Sequence, residues 1–236
     1  EKQKGVNKTL SLQKHSLYRQ LNDLDAAIKE LRLLLRNFPD EVEAMELLAE
    51  LYLLNNKKEK AFEMFKVISI ISPDNGRLYL TLADYYRERG DTDSSYINLK
   101  LAFNSKTLNI ESKIRVMLSY YELIDKGEKI KNQAFELAEI LIKTHPENLK
   151  SRAVFADLLY IDNQYQKAKE QYLIILQTDR SKNAIWNQVL FIQAEQGDFE
   201  GILKTSEEAL EYFPADPLFY YFNGLANRYF ENYNQA

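Results

Sequence analysis

Apolar residues recur along the chain at helical spacing, in segments separated by short polar or glycine-containing breaks. The stretch AFEMFKVISIISP at 61–73 begins with a small residue, places bulky residues four and seven positions later, and ends in proline. A similar outline returns at 27–39 and at 134–146. This spacing predicts amphipathic helices. The breaks, such as NNKK at 55–58 and QGD at 196–198, predict short turns between helices.

The positions that close these segments repeat along the chain at nearly constant distance. They are Pro39, Pro73, Thr107, Pro146, Arg180 and Pro214. The steps between them are 34, 34, 39, 34 and 34 residues. A fixed step of this length indicates a repeat protein in which each unit is one supersecondary element. We therefore predict pairs of antiparallel helices, each pair joined by a short turn.

The residues at fixed places in each unit resemble the tetratricopeptide repeat (TPR) family, whose pattern runs W-x2-L-G-x2-Y, then A-x3-F, then P. The unit that begins at residue 42 matches the pattern with Met45, Leu48, Ala49, Tyr52, Ala61, Phe65, Ile68 and Pro73. Later units match with Tyr79, Leu82, Ala83, Phe155, Ala156, Ala168, Tyr172, Trp186 and Ala209. Alanines such as Ala49, Ala61 and Ala156 are expected where the two helices of a unit come closest, because a larger side chain would separate them.

The resemblance implies an all-α fold, an α-solenoid forming a right-handed superhelix. It would contain about six TPR helix pairs and the first helix of a seventh. The expected units of this single solenoid, residues 1–236, are 8–41, 42–75, 76–110, 111–148, 149–182, 183–216 and a partial unit at 217–236. His15 and Leu118 stand where the family usually has a small residue. About five extra residues near 125–132 predict longer helices or a longer turn in the fourth unit.

Composition and charge argue against several classes of function. The formal net charge of −4 argues against a general nucleic-acid binder. The longest apolar runs are far shorter than the roughly 20 residues that span a bilayer, so no membrane span is expected. The chain has no cysteine and two histidines, His15 and His145, in no metal-binding spacing. We expect neither an enzyme nor a bound cofactor or metal.

Charge is uneven along the chain. Residues 1–38 hold eight Lys or Arg and four Asp or Glu, whereas residues 195–236 hold two and eight. The plain interpretation is a set of solvated helix faces, and the alternative is a docking surface.

In TPR arrays the first helices of the units line a concave groove, and the resemblance assigns residues of this chain to it. Glu43, Glu46 and Glu50 share one helical face and predict an acidic ridge. Arg77, Arg87 and Arg115 are expected in the next two units, where they would pair with Asp84 and Glu122 between neighbouring helices. Such pairing would satisfy these charges within the protein, so a charge network and a binding surface both stay open.

Toward the C-terminus the predicted groove becomes aromatic. Tyr160, Phe191 and Tyr221 come from three successive first helices, with Arg228 and Tyr229 close by. Exposed aromatic side chains in a concave surface are typical binding anchors. Packing of these rings into the core is the competing interpretation.

The resemblance therefore implies a non-enzymatic scaffold that binds a peptide or helix of a protein partner in its groove. Some TPR proteins hold the terminal carboxylate of a peptide through lysines and asparagines in the groove. The corresponding places here include Glu46, Glu50, Leu80 and Asp84, so that carboxylate-binding arrangement is not reproduced. The amino-acid sequence as a whole is similar to that of long TPR arrays exported to the bacterial cell envelope. This resemblance suggests a periplasmic or envelope location. The alternative function is a structural spacer or assembly segment of a larger envelope-associated TPR protein, acting through its ends and outer face.

The C-terminal unit is expected to be half a repeat. The segment from Pro217 to Ala236 would supply a first helix without the second helix that covers Tyr220 and Phe230. A finished solenoid normally ends in a polar cap. The expectation is a fragment of a longer array, or self-association through this end.

Overall fold

The computed structural model describes residues 5–231, which fold into thirteen α-helices and one short 3-10 helix without a strand. The α-helices are α1 (Lys8–Gln20), α2 (Leu24–Asn37), α3 (Val42–Leu54), α4 (Lys58–Ile71), α5 (Gly76–Glu88), α6 (Thr92–Asn104), α7 (Ile110–Tyr121), α8 (Glu128–Thr144), α9 (Leu149–Ile161), α10 (Tyr165–Thr178), α11 (Asn183–Glu195), α12 (Phe199–Tyr212) and α13 (Pro217–Tyr229). The predicted all-α helical repeat fold is confirmed. Residues 232–236, the end of the predicted half repeat, lie outside the described residues.

The helices form two compact units that meet in sequence between Asn109 and Ile110. Unit 1 contains the pairs α1–α2, α3–α4 and α5–α6. Unit 2 contains α7–α8, α9–α10, α11–α12 and then α13. The odd-numbered helices are the first helices of the repeats, and the even-numbered ones are the second helices. No helix within residues 5–231 is long and apolar enough to cross a membrane.

Small residues lie where the helices of a pair meet. Ala49, Ala61, Ala156 and Ala168 are all fully buried, as the sequence pattern predicts. Leucine, isoleucine and aromatic side chains fill the space around them, and each unit has its own apolar core. Because interiors are packed at crystal-like density, an alanine at such a place cannot be enlarged without moving a helix.

The turns inside the pairs use one residue in the left-handed conformation. It is Asn22, Asn56 or Gly90 in unit 1, with φ of 57°, 54° and 77°. In unit 2 it is Asn163 or Gly197, with φ of 59° and 65°. Glycine and asparagine tolerate this conformation better than other residues, which is why they end a helix here. The breaks seen in the sequence therefore have a specific backbone role.

The third pair closes without the proline that the repeat pattern expects. The Thr107 hydroxyl donates to the carbonyl oxygen of Asp74 at 2.7 Å, and the Ser105 hydroxyl donates to the same oxygen at 3.0 Å. The backbone N–H of Gly76 donates to Thr107 Oγ1 at 3.2 Å. Side-chain hydroxyls thus hold this turn against the start of α5.

The fourth pair carries the predicted insertion. Its second helix α8 has 17 residues, against 13 or 14 in the other second helices, and a 3-10 helix at Ile124–Lys126 precedes it. The predicted register of α7 is wrong, because Leu118 is 52% exposed while Lys113 and Met117 are fully buried. Met117 stands 34 residues after Ala83, so the predicted position lies one residue too late. His15, by contrast, is buried at the predicted close approach.

Candidate functional site

Three aromatic rings on the first helices α11 and α13 of unit 2 form one cluster, here called the aromatic face: Phe191, Tyr221 and Phe222. Phe191 is 41% exposed and Tyr221 is 63% exposed, whereas Phe222 is buried. Phe222 contacts both exposed rings edge-on, with centroid distances of 5.6 Å to Phe191 and 5.4 Å to Tyr221. Edge-to-face contacts of this kind orient aromatic rings. The buried ring therefore supports two rings that reach solvent.

The local sequence explains why these rings lie at the edge of the core. On α11, Trp186, Val189 and Leu190 occupy the buried side, which leaves Phe191 on the flank. On α13, Pro217 occupies the first turn and the Asp216 carboxylate accepts from the backbone N–H of Leu218 at 2.9 Å. A capped helix start of this kind fixes where the helix begins, and so which residues face the core.

Two amide side chains lie on the same side of α11 as Phe191, at steps of four residues. Asn183 donates through Nδ2 to Asp216 Oδ2 at 2.7 Å, and Asn187 donates through Nδ2 to Asn183 Oδ1 at 3.2 Å. The Asn187 Oδ1 atom is buried and has no hydrogen-bond partner among the described residues. Sequence reasoning missed both amides, although their spacing to Phe191 places them on one helical face.

Arg228 and Tyr160 differ in how they relate to the aromatic face. Arg228 is exposed and lies seven residues after Tyr221, on the same side of α13. Tyr160 on α9 is half-buried, packs against the core of unit 2 and contacts the ring of Tyr165 at 5.4 Å. Tyr160 is thus partly a core residue, in line with the interpretation that these rings pack into the core.

A half-buried carboxyl, Asp157, lies three residues before Tyr160 on α9. The Tyr172 hydroxyl donates to Asp157 Oδ1 at 2.6 Å. Burial raises the pKa of Asp157 above its ordinary value, and burial next to Asp157 raises the pKa of Tyr172. Nothing in the sequence marked this pair, because the burial depends on how α9 and α10 pack.

The predicted acidic ridge on α3 of unit 1 has partners within the protein. Glu43 lies 3.7 Å from Lys8, and Glu50 lies 3.7 Å from Arg19, both on α1. Glu46 accepts a hydrogen bond from Asn75 at 2.6 Å. Exposed ion pairs contribute little to stability and are screened by salt. These contacts still reduce the charge that the ridge presents to a ligand.

The arginines predicted for the groove are exposed, and two of them bind within their own helix. Arg87 pairs with Asp84 at 2.7 Å, and Arg115 donates to Ser112 Oγ at 2.8 Å. Pairing between neighbouring helices was predicted, and for these two contacts that prediction is wrong. A spacing of three residues places the partners side by side on one helix surface. Arg77, at the second position of α5, is exposed.

Comparison with known proteins gives a family match for part of the chain. Residues 16–76 match the tetratricopeptide repeat family model. No curated protein matches the sequence.

Solved structures are similar over most of the chain at low sequence identity. A structure of Naa15/Naa10 bound to HypK-THB is 14% identical, covers 98% of this chain and has a TM-score of 0.61. The match covers 35% of that chain, so this chain spans about a third of its length. A tetratricopeptide repeat protein from Parabacteroides merdae is 13% identical, covers 96% of this chain and 88% of that one, and has a TM-score of 0.47. The MamA protein is 17% identical, with coverages of 74% and 92% and a TM-score of 0.46.

Proteins with these repeats generally mediate protein–protein interactions and are typically non-enzymatic scaffolds. The fold match over nearly the whole chain extends the helical repeat architecture beyond the segment that the family model covers. Residues 16–76 thus match tetratricopeptide repeats, and the chain as a whole has a helical repeat fold similar to solved structures.

Proposed function

We propose that this chain is a non-catalytic binding module that takes a peptide or helix of a partner protein on the first-helix face of unit 2. The observation that carries the proposal is the pair of exposed rings, Phe191 and Tyr221, held by the buried Phe222. Rings supported in this way lose little conformational freedom on binding, and aromatic side chains dominate binding energy at protein interfaces.

The amides beside Phe191 support a partner that presents its backbone. Asn183 and Asn187 follow the same side of α11, where Asn187 Oδ1 is the amide acceptor that has no hydrogen-bond partner among the described residues. An extended peptide or the end of a helix offers the complementary groups. The exposed Arg228 on α13 favours a partner that carries a carboxylate near its apolar anchor.

The charged first-helix face of unit 1 has a lesser role in this proposal. The contacts of Glu43, Glu46 and Glu50 with α1 and with Asn75 leave these carboxylates less available to a ligand. We expect the exposed Arg77, Arg87 and Arg115 to affect the rate and salt dependence of association more than affinity, as rim charges commonly do.

The proposal is tested with peptides selected on the purified protein from a random displayed library. Alanine at Phe191 or at Tyr221 should weaken the affinity of a selected peptide by about fivefold or more, measured by calorimetry. Tyr212→Ala is the matched control, because Tyr212 is 45% exposed but lies on the second helix α12. Thermal unfolding of each variant separates lost binding from lost stability.

The proposal fails if the selected peptides bind the Phe191 and Tyr221 variants as tightly as they bind the unmodified chain. It also fails if only Tyr212→Ala weakens them, because the second-helix side would then carry the interaction. If the library yields no peptide that binds this face, the result favours the alternative function, a structural spacer.

A further inference from the structure

The second helices of unit 1 expose a row of branched aliphatic side chains at one repeat position. Leu33 on α2, Val67 on α4 and Leu101 on α6 stand 34 residues apart and are 38%, 41% and 43% exposed. Ile70 on α4 and Ile97 on α6 flank this row and are 80% and 56% exposed. Since the three pairs repeat one packing arrangement, equivalent positions on these helices lie in line.

A row of cations runs beside the aliphatic row. Arg32, Lys66 and Lys100 each precede one of the three aliphatic residues by one position. Lys29 and Arg36 add two exposed cations to the same side of α2. We call this combined surface, on α2, α4 and α6, the basic apolar face.

The cations of α4 and α6 contact groups on their own helices. Lys66 lies 3.1 Å from Glu63 and 4.6 Å from the ring centroid of Phe62. Lys100 lies 4.9 Å from the ring centroid of Tyr96. On α2, Glu30 turns toward α1, where it accepts from the Ser11 hydroxyl at 2.7 Å. With Glu30 turned toward α1, the exposed residues of α2 include Lys29, Arg32 and Arg36, with Asp25 in its first turn.

Unit 2 provides an internal comparison, because its second helices have the same repeat positions. Glu139, Leu173 and Glu207 stand where unit 1 has its cations. Ile140, Ile174 and Glu208 stand where unit 1 has its aliphatic row. The combination of cations with exposed aliphatic residues is thus specific to unit 1 and does not follow from the repeat pattern.

We propose that the basic apolar face of unit 1 binds the surface of an anionic lipid membrane. Exposed apolar patches rimmed by polar residues mark interaction sites, and cations next to them select a negatively charged occupant. Ile70 protrudes from α4, so its side chain would insert into the bound surface. It does not form a pocket that could accept a side chain of a partner. A lipid interface takes in any array of protruding aliphatic groups, whereas a protein would need a matched recess for each. Juxtaposed basic residues and buried apolar area are what peripheral membrane binding requires.

The test is cosedimentation of the full chain with vesicles of phosphatidylcholine alone and of phosphatidylcholine mixed with phosphatidylglycerol. Binding should occur to the mixed vesicles, weaken as salt rises, and fall about fivefold with Arg32→Glu. Val67→Ser should also weaken it. The matched controls Lys143→Glu and Ile174→Ser change exposed residues of unit 2 and should leave binding unchanged.

The proposal is overturned if the chain binds neither kind of vesicle, or if the unit 1 variants and their unit 2 controls lose binding equally. If the chain does not bind vesicles but this face selectively captures an acidic amphipathic peptide, the proposal is also overturned. The surface would then be assigned to a protein partner. This face lies on second helices of unit 1, so its test is independent of the peptide experiment on unit 2.

Discussion

The contact between Phe191 and Phe222 should contribute a measurable coupling free energy to the stability of unit 2. The two rings meet edge-on at 5.6 Å with an interplanar angle of 78°. Aromatic pairs in this geometry are worth about 0.5–1.5 kcal/mol beyond the area they bury. Because Phe191 is 41% exposed, we expect a value in the lower half of that range, roughly 0.5–1 kcal/mol.

A double-mutant cycle isolates this contribution. The free energy of unfolding would be measured by urea denaturation for the unmodified chain, Phe191→Leu, Phe222→Leu and the double variant. Leucine keeps an apolar side chain in both places, so the cycle reports mainly the lost ring contact. Equal slopes of free energy against urea concentration among the four proteins show that they unfold in the same way.

Phe219 provides the control pair. It lies on the same helix as Phe222 and is fully buried, but its ring contacts Phe213 at 5.9 Å. The cycle of Phe191 with Phe219 should give a coupling within about 0.3–0.5 kcal/mol of zero, the usual limit for sites without a shared contact. A Phe191–Phe222 coupling no larger than this control would refute the arrangement of the aromatic face.

Two further predictions concern unit 1. A Cβ atom at Gly76 would lie 2.6 Å from Leu108 Cβ and 2.8 Å from Ser105 Cβ, so Gly76→Ala should cost about 1–3 kcal/mol by overpacking, and an unchanged urea midpoint would contradict this. Burial and the nearby Arg19 lower the pKa of His15 below its ordinary 6.5, while Glu50 opposes the shift. The unfolded chain then binds the proton more readily, so stability should fall as pH drops below 6.5 toward the folded pKa. His15→Gln should reduce that loss as pH falls through this window, and identical pH profiles would contradict the argument.

The helix pairs were predictable because the repeat imposes the same local requirements many times. Fully buried alanines such as Ala61, and left-handed Asn56 and Gly90, appear in the sequence as a small residue or a break at a fixed position. Each requirement is local, since it depends on one helix contact or one turn. Because the same requirement recurs in several units, it can be recognised from the sequence alone.

The features that escaped prediction depend on contacts between elements. On α7 the predicted small-residue position was one residue too late, because the 34-residue step from Ala83 reaches the buried Met117 and not the exposed Leu118. The partners of Glu43 and Glu50 are long cationic side chains of α1, whose reach the spacing within α3 does not reveal. Phe222, the ring that supports the aromatic face, was not identified from the sequence, because its role depends on the contact between α11 and α13.

A crystal structure of the full chain with a selected peptide tests the central claim most directly. The account predicts that the peptide lies against α11 and α13, with an apolar side chain in contact with both Phe191 and Tyr221 and with a polar group of its backbone near Asn187. A peptide bound to the second helices α10 and α12, with Phe191 and Tyr221 still exposed to solvent, would contradict it.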